Sequence, residues 1–364
     1  MQILSPELSQ FASAPDGRPL YLRRARKADG RDLLLYGFTP HEGLQAAEDF
    51  ASGAGPSELR WHPLRQEWSI YAGARQNRPH LPGQADDPIA PGGPGQPLSE
   101  IPFSDFEIAI FENRFPTLSE TATGFDTGAT GIQRRAACGH CEVVVYTPDQ
   151  TGNLTTLGQD RRLLLIHAWI ERYADLFARG HSVVMPFENR GEAVGVTLHH
   201  PHGQLYAFDF VPPVQAKAAD AFADGWSLET HLPDWWESYG IVEAGGMVAF
   251  APPFARFPYE VWLTPRSRRD GPWAFSGEEI EGFAELLGEM TARYDRLFGR
   301  DMPYMLTLHA APKGGSKGFH FTAQYYPLLR AAEKVKFLAS IEQSTNVFTV
   351  DVLPEAAAAA LKTA

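Results

Sequence analysis

The sequence carries the same helix ending twice, and each copy is followed at matched distance by the same polar pattern. ERYADLFARG occupies 171–180 and ARYDRLFGR occupies 292–300. Tyr173 to His200 is 27 residues, and Tyr294 to His320 is 26. His200-Pro-His202-Gly-Gln204 therefore lies over His320-Phe-Thr322-Ala-Gln324, so that H-x-x-x-Q recurs while the central histidine stands only in the first copy. Two unrelated amphipathic helices share apolar spacing, but the matched distance to H-x-x-x-Q, 27 against 26 residues, favours an internal duplication. The expected halves are 55–212, which keeps the chemistry, and 235–345, which supports it. Residues 1–54 and 346–364 are then N-terminal and C-terminal extensions.

Local patterns agree with a repeated strand–helix–strand unit. Leu163, Leu164, His167, Ile170, Leu176 and Phe177 recur at helical spacing, as do Ile280, Phe283, Leu286, Leu287, Met290, Tyr294, Leu297 and Phe298. Segments 106–111 and 142–146 read as strands, and Trp61, Trp68, Ile70 and Tyr71 suggest a hairpin turning near 63–67. Residues 79–98 form a Pro/Gly-rich loop, because proline removes donors and glycine costs backbone entropy. The tail from Pro354 reads as a terminal surface helix. The predicted class is α+β, with antiparallel sheet covered by helices.

Composition excludes several function classes. With 44% hydrophobic residues, 23 Phe, 12 Tyr and 8 Trp, the 364-residue chain can fill a core. Its 32 Lys+Arg against 44 Asp+Glu leave a net charge of −12, which repels phosphate backbones and argues against nucleic acid as a partner. Two cysteines cannot build a disulfide framework. No run approaches the roughly 18 apolar residues of a membrane span, so no membrane partner is expected. The opening MQILSPELSQFASAPDG lacks a basic end followed by an apolar stretch. A cytoplasmic enzyme is the expectation.

The chemistry concentrates in GVTLHHPHGQLYAFDF at 195–210, where three of the 12 histidines fall at 199, 200 and 202. In an extended strand His200 and His202 share a face, with His199 on the other. Pro201 fixes one φ angle, Gly203 permits close backbone approach, and Gln204 continues the His200/His202 face. A neutral imidazole can attack phosphorus if its other nitrogen is held protonated, and the Gln204 amide can donate to a phosphoryl oxygen without acting as a base. A metal site and hydrogen-bonded core histidines are the competing readings; the local chemistry favours phosphoryl or nucleotidyl transfer.

HPHGQ at 200–204 resembles the active-site motif of galactose-1-phosphate uridylyltransferases, within the histidine-triad superfamily. Four further motifs keep the family's order: RWHPL…EW…ARQNRP at 60–79, FENRG at 187–191, LHAAP at 308–312 and YYPLLR…KF at 325–337. The resemblance covers roughly 58–345 and implies two histidine-triad-like halves and a two-step exchange. In it, UDP-glucose and galactose 1-phosphate give glucose 1-phosphate and UDP-galactose through a uridylyl-histidine. It further implies His202 as nucleophile, His200 as its orienter and Gln204 as the group that binds the transferred phosphoryl. Arg75, Arg78 and Asn189 match nucleotide- and phosphate-contacting positions. Lys336 and Phe337 match late residues that come from the partner subunit of a homodimer, and Glu342 matches a hexose contact.

Departures from the family pattern concern metals. The loop that carries a zinc-binding Cys-x-x-Cys pair in better-known members reads DDPIAPGGPG here, and the downstream histidine position is Gln150. A second metal site, built elsewhere from a glutamate and three histidines, retains His309, but the glutamate region reads QAKAADA and the paired positions are Thr322 and Gln324. No metal and no cofactor are therefore expected, with hydrogen bonds holding the loop. The remaining zinc reading is Cys138-Gly-His140-Cys141, with His140 or His200. Dithiol chemistry there needs a helix start, whereas a strand pattern follows. Trp61 and Trp68 read as core, Glu188 as an edge charge, and His231 as surface. Two alternatives share the site: a nucleotide-sugar phosphorylase or adenylyltransferase acting on ADP-glucose, and a non-catalytic nucleotide-sugar binder.

Overall fold

Three runs near the start of the chain pair with one another before either predicted half begins. They are β1 (Glu7–Ser13), β2 (Pro19–Arg26) and β3 (Asp32–Gly37). The computed structural model describes residues 7–44, 46–77, 83, 86–123 and 131–364. The first half continues with β4 (Ser57–His62), β5 (Glu67–Ala72), β6 (Ile108–Glu112), β7 (Arg134–Ala136) and β8 (Gly139–Val145). Helix α1 (Gly158–Ala178) follows, then β9 (Val183–Arg190) and β10 (His202–Phe208). Helices α2 (Pro213–Ala223) and α3 (Leu228–Tyr239) lead into β11 (Gly240–Ala244), β12 (Met247–Phe250) and β13 (Val261–Pro265). The second half closes with α4 (Gly277–Phe298), β14 (Tyr304–His309), β15 (Thr322–Pro327), α5 (Ser340–Thr345) and α6 (Pro354–Thr363).

Twelve strands make one antiparallel sheet in the order β1-β2-β3-β6-β8-β10-β9-β14-β15-β13-β12-β11. The duplication is visible in that order: β8-β10-β9 of the first half meets β14-β15-β13 of the second in reversed sequence, each set attached to one long helix. The seam is β9 against β14, with Glu188 opposite Leu306 and Asn189 opposite Met305. The fold is thus two related α+β halves sharing a sheet. The separate hairpin β4–β5 pairs with β7, and Trp61 faces Trp68 across it. Residues 1–54, expected as an extension, supply the three strands next to β6. Their arginines disguise them, because Arg23 and Arg24 find the His41 carbonyl and Glu171 while Leu20, Leu22 and Leu34 enter the core.

Both long helices lie over the sheet. Leu164, Leu165, Tyr173 and Leu176 of α1 share one buried cluster with Phe283, Leu287, Met290 and Tyr294 of α4 and with Leu205, Leu306 and Tyr325 from the strands. Each such side chain contributes on the order of 1.5–3 kcal/mol by leaving water. Helix α4 starts at a capping box, with Glu279 N donating to Ser276 Oγ at 3.2 Å and Ser276 N to Glu279 Oε2 at 2.7 Å. It ends at Gly299, whose φ of 63° is left-handed. Buried Arg162 links the helices, donating to Ala284 O (2.6 Å) and Leu154 O (2.7 Å). Gly288 makes room for it: a Cβ there would sit 2.5 Å from the guanidinium carbon.

The terminal helix α6 is not a free surface helix, since Ala357, Ala358 and Leu361 are buried. Alanine allows close approach but gives too little contrast to reveal a buried face in the sequence. No described helix is long and apolar enough to cross a membrane.

Candidate active site

Strand β10 begins at His202, with His200 and Pro201 in the loop before it. Gly203 follows because nothing larger fits: a Cβ there would lie 2.2 Å from the Tyr146 hydroxyl and 2.8 Å from Phe187 O. The strand alternation then returns Gln204 to the His202 side. His202 Nδ1 lies 2.7 Å from His200 O. A carbonyl only accepts, so Nδ1 carries the hydrogen and the neutral ring keeps a lone pair on Nε2. Burial pushes the His202 pKa below its usual value, with the His200 carbonyl contact opposing the shift.

This lowering sets a pH expectation. An imidazole attacks phosphorus only when neutral, and a lowered value favours the neutral ring of His202 at pH 6.5, the ordinary histidine value. The rate plateau should extend below pH 6.5, and kcat/KM should fall only as pH drops through the depressed value. A pH profile of the first half-reaction that breaks at or above 6.5 would contradict it.

Three cavities share His202 in their walls. The largest, about 700 Å³, also has Tyr146, Glu188, Asn189, His199 and Arg300. A second, about 210 Å³, is lined by Arg75, Asn189, Gln204 and Tyr206. The third, about 80 Å³, holds Phe111, Asn113, Phe115, Leu198 and Gln204. The structure therefore brings together His202, His200, Gln204, Arg75 and Asn189. Arg75 Nη1 donates to Phe115 O at 2.8 Å. Arg78 lies outside the described residues. Lys336, Phe337 and Glu342 line none of these cavities. Glu342 instead pairs with Lys336 Nζ at 2.7 Å, and this contact with the Ala339 and Thr349 amides pulls its carboxyl down to about 2.

Residues that the sequence did not single out complete the walls. Asn113 Nδ2 stands 3.5 Å from Gln204 Oε1, a long contact that leaves the Gln204 amide N–H groups for a ligand. Its only sequence cue is a polar residue directly after a buried strand. His199, expected to face away, is exposed on the largest cavity. Glu188, expected as an edge charge, is buried at the seam and receives the Tyr304 hydroxyl at 2.8 Å, while burial pushes its carboxyl up to about 7.

The donor sets do not fit either metal of the resembled family. His200 Nδ1 lies 2.7 Å from Asp87 Oδ2 and Nε2 lies 2.7 Å from Thr147 O, so both ring nitrogens are already engaged by oxygen partners. At the second position His309 Nδ1 faces Gln215 Nε2 at 3.2 Å, and Gln324 Nε2 donates to Thr322 Oγ1 at 2.8 Å. His309 Nε2 has no hydrogen-bond partner, but one imidazole among amides and a hydroxyl is not a metal donor set. Among the described residues no group of three or more His, Cys, Asp and Glu could hold a metal ion. Cys141 lies within β8 opposite Tyr206, where burial raises its thiol pKa, and Cys138 precedes a strand, not a helix. His140 contacts Glu142 at 3.1 Å and Arg179 at 3.3 Å.

Two family models match the chain. Galactose-1-phosphate uridyl transferase, N-terminal domain, matches residues 54–212, and the C-terminal domain matches 237–364. The galactose-1-phosphate uridylyltransferase of Thermotoga maritima is 35% identical over 316 residues, covering 84% of this chain and 98% of that one. The Streptomyces lividans galactose-1-phosphate uridylyltransferase is 29% identical over 360 residues, covering 93% and 96%. A solved uridylyltransferase superposes with a TM-score of 0.74 at 26% identity, over 84% of this chain and 97% of its own. The ADP-glucose phosphorylase of Arabidopsis thaliana, solved with ADP-glucose bound, shares the fold at a TM-score of 0.63 and 22% identity, over 85% and 99%.

Proposed function

The chain belongs to the galactose-1-phosphate uridyl transferase family, and from that premise we propose that it moves UMP between UDP-glucose and galactose 1-phosphate through a covalent bond to His202. The observation that carries the site assignment is the one free imidazole nitrogen of His202 at the meeting point of three cavities, with Gln204 beside it. In the first step Nε2 attacks the α-phosphorus of UDP-glucose, and the bond from that phosphorus to the bridging oxygen of glucose 1-phosphate breaks. The leaving group is already a phosphate, so strong acid catalysis is not required. The ring keeps its Nδ1 hydrogen and becomes cationic, and the His200 carbonyl stabilises that charge. In the second step a phosphate oxygen of galactose 1-phosphate attacks the same phosphorus, restoring neutral His202 and releasing UDP-galactose. Kinetics are ping-pong.

Arg75 and Gln204 are positioned to meet the charge on the transferred phosphoryl, and Asn189 to contact the nucleotide. Arg78 is assigned to the nucleotide phosphates on the sequence motif. The chemistry sits in 55–212, with 235–345 as the supporting half. Two free thiols, Cys138 and Cys141, fit a reducing cytoplasm. Exchange of labelled glucose 1-phosphate into UDP-glucose, without galactose 1-phosphate, tests the activity. Exchange with UDP-glucose and not ADP-glucose is expected; exchange with ADP-glucose alone would indicate the adenylyl reading, and binding without exchange a non-catalytic binder.

A homodimer is the second part of the proposal. Phe337 (78% exposed), Leu338, Ile341 and Val347 leave an apolar surface near Leu64 (91%), and Arg65 Nη1 contacts Gln343 O at 3.3 Å. A second copy covering it would bring the anionic Glu342 and its Lys336 toward the partner's hexose site. Sedimentation equilibrium should give twice 40.2 kDa, and Phe337→Glu should give monomers with reduced transfer. A monomeric wild type sinks this assignment.

A further inference from the structure

Among the described residues, the three segments that a zinc ion joins in better-known members of the resembled family are linked here by hydrogen bonds. The Pro/Gly loop contributes Asp87, the segment after β8 contributes the Thr147 carbonyl, and the active-site motif contributes His200. Both contacts to the imidazole are 2.7 Å long. The His200 side chain is 0% exposed and that of Asp87 9%. Both ring nitrogens are thereby engaged by oxygen, so these contacts occupy the positions from which a metal would be bound.

Asp87 is itself fixed. Its Oδ1 accepts from Ile89 N at 3.1 Å, and Glu100 N donates to Pro88 O at 2.7 Å. Glu100 forms a buried ion pair with Lys27 and a 2.9 Å bond to Arg31 Nη1, so the turn between β2 and β3 anchors the loop. Ile89 and Ile101 pack with Phe103, Phe106 and Phe111, and Leu198 joins them from the other side. Residues 86–98 of the loop are therefore a preformed platform, and the Asp87 carboxylate reaches the side chain whose own main-chain carbonyl holds His202 Nδ1.

We propose that Asp87 is a positioning residue: together with the Thr147 carbonyl it clamps His200 and, through the His200 carbonyl, aims the His202 nucleophile, a task that does not require a metal at this position. The inference rests on His202 being the uridylylated residue. Its misalignment should be felt in the chemical step more than in substrate binding, because the clamp touches no substrate.

The test measures the single-turnover rate of UMP transfer to His202, with the labelled residue located by mass spectrometry, in wild type, Asp87→Ala and Asp87→Asn. Asp87→Ala should transfer about 10–100-fold more slowly, the range typical of lost orienting partners. KM for UDP-glucose should move much less, and Asp87→Asn, which keeps an oxygen for Ile89, should recover part of the rate. Wild type stripped with chelators should keep its rate with substoichiometric metal. A merely structural role would lower the folded fraction without changing the rate per labelled site. If Asp87→Ala does not fold, imidazole 15N spectra of the wild type decide: His200 Nε2, which faces a carbonyl that only accepts, should bear hydrogen, and an unprotonated Nε2 overturns the clamp. An Asp87→Ala rate within about twofold of wild type also overturns it, as does chelator-sensitive activity restored by stoichiometric zinc. UMP on a residue other than His202 overturns the nucleophile assignment instead.

Discussion

Replacing His202 by alanine should lower kcat for UMP exchange by about 10⁴-fold or more while leaving much of the UDP-glucose affinity intact. The size follows from the loss of the only atom that makes the covalent bond: removing the nucleophile of a covalent mechanism leaves only the contributions of binding and preset donors. Those contributions survive the substitution. Arg75 is held by Phe115 O, Gln204 by Asn113, and the glycine backbone at 203 by its place in β10 opposite Val144, none of which uses the His202 ring. The matching deletion in the second half has no such consequence, because β15 carries Thr322 at the equivalent place and its hydroxyl is already engaged with Gln324. Isotope exchange with equilibrium binding of UDP-glucose checks the prediction. A variant that still exchanges at more than about one hundredth of the wild-type rate would falsify the assignment of His202 as nucleophile.

The contrast between the halves also explains how much the sequence reveals. The duplication was legible because helices repeat every 3.6 residues and expose their endings, and because H-x-x-x-Q marks the strand after each. The seam between β9 and β14 was not, since it depends on Glu188 meeting Leu306 across the chain, and neither residue carries a pairing code. The candidate catalytic motif was legible as a cluster of rare side chains, although only His202 and Gln204 stand on β10 and His200 lies in the loop before it. Its fastening was hidden, because Asp87 stands in a Pro/Gly loop 113 residues from His200 and looks like any acidic loop residue. Strand β2 was missed for a related reason: PLYLRRAR reads as polar until His41 and Glu171 arrive from elsewhere to satisfy its arginines. Arginine tolerates burial in such places through several directed donors.

Gln204→Ala should reduce kcat by about 10²–10³-fold, the cost typical of removing one preset donor from a developing oxyanion. The expectation depends on where the amide stands. His202 and Gln204 leave β10 on the same side, and Gln204 lines both smaller cavities while Asn113 occupies its carbonyl end. The N–H groups are thus left to meet the phosphoryl that His202 would receive under the proposed mechanism. Gln204→Glu discriminates this electrostatic role from simple packing, since it preserves shape and places a carboxylate against phosphoryl oxygens. Two like charges about 4 Å apart at an effective dielectric of about 20 repel by roughly 4 kcal/mol, enough to make glutamate no better than alanine. A packing role predicts the reverse order, with glutamate near wild type. Because one phosphorus is attacked in both steps, Gln204→Ala should slow uridylylation by UDP-glucose and discharge to galactose 1-phosphate alike. Separate single-turnover measurements check this, and a loss confined to one step would move Gln204 from the shared phosphoryl to a single leaving or attacking group.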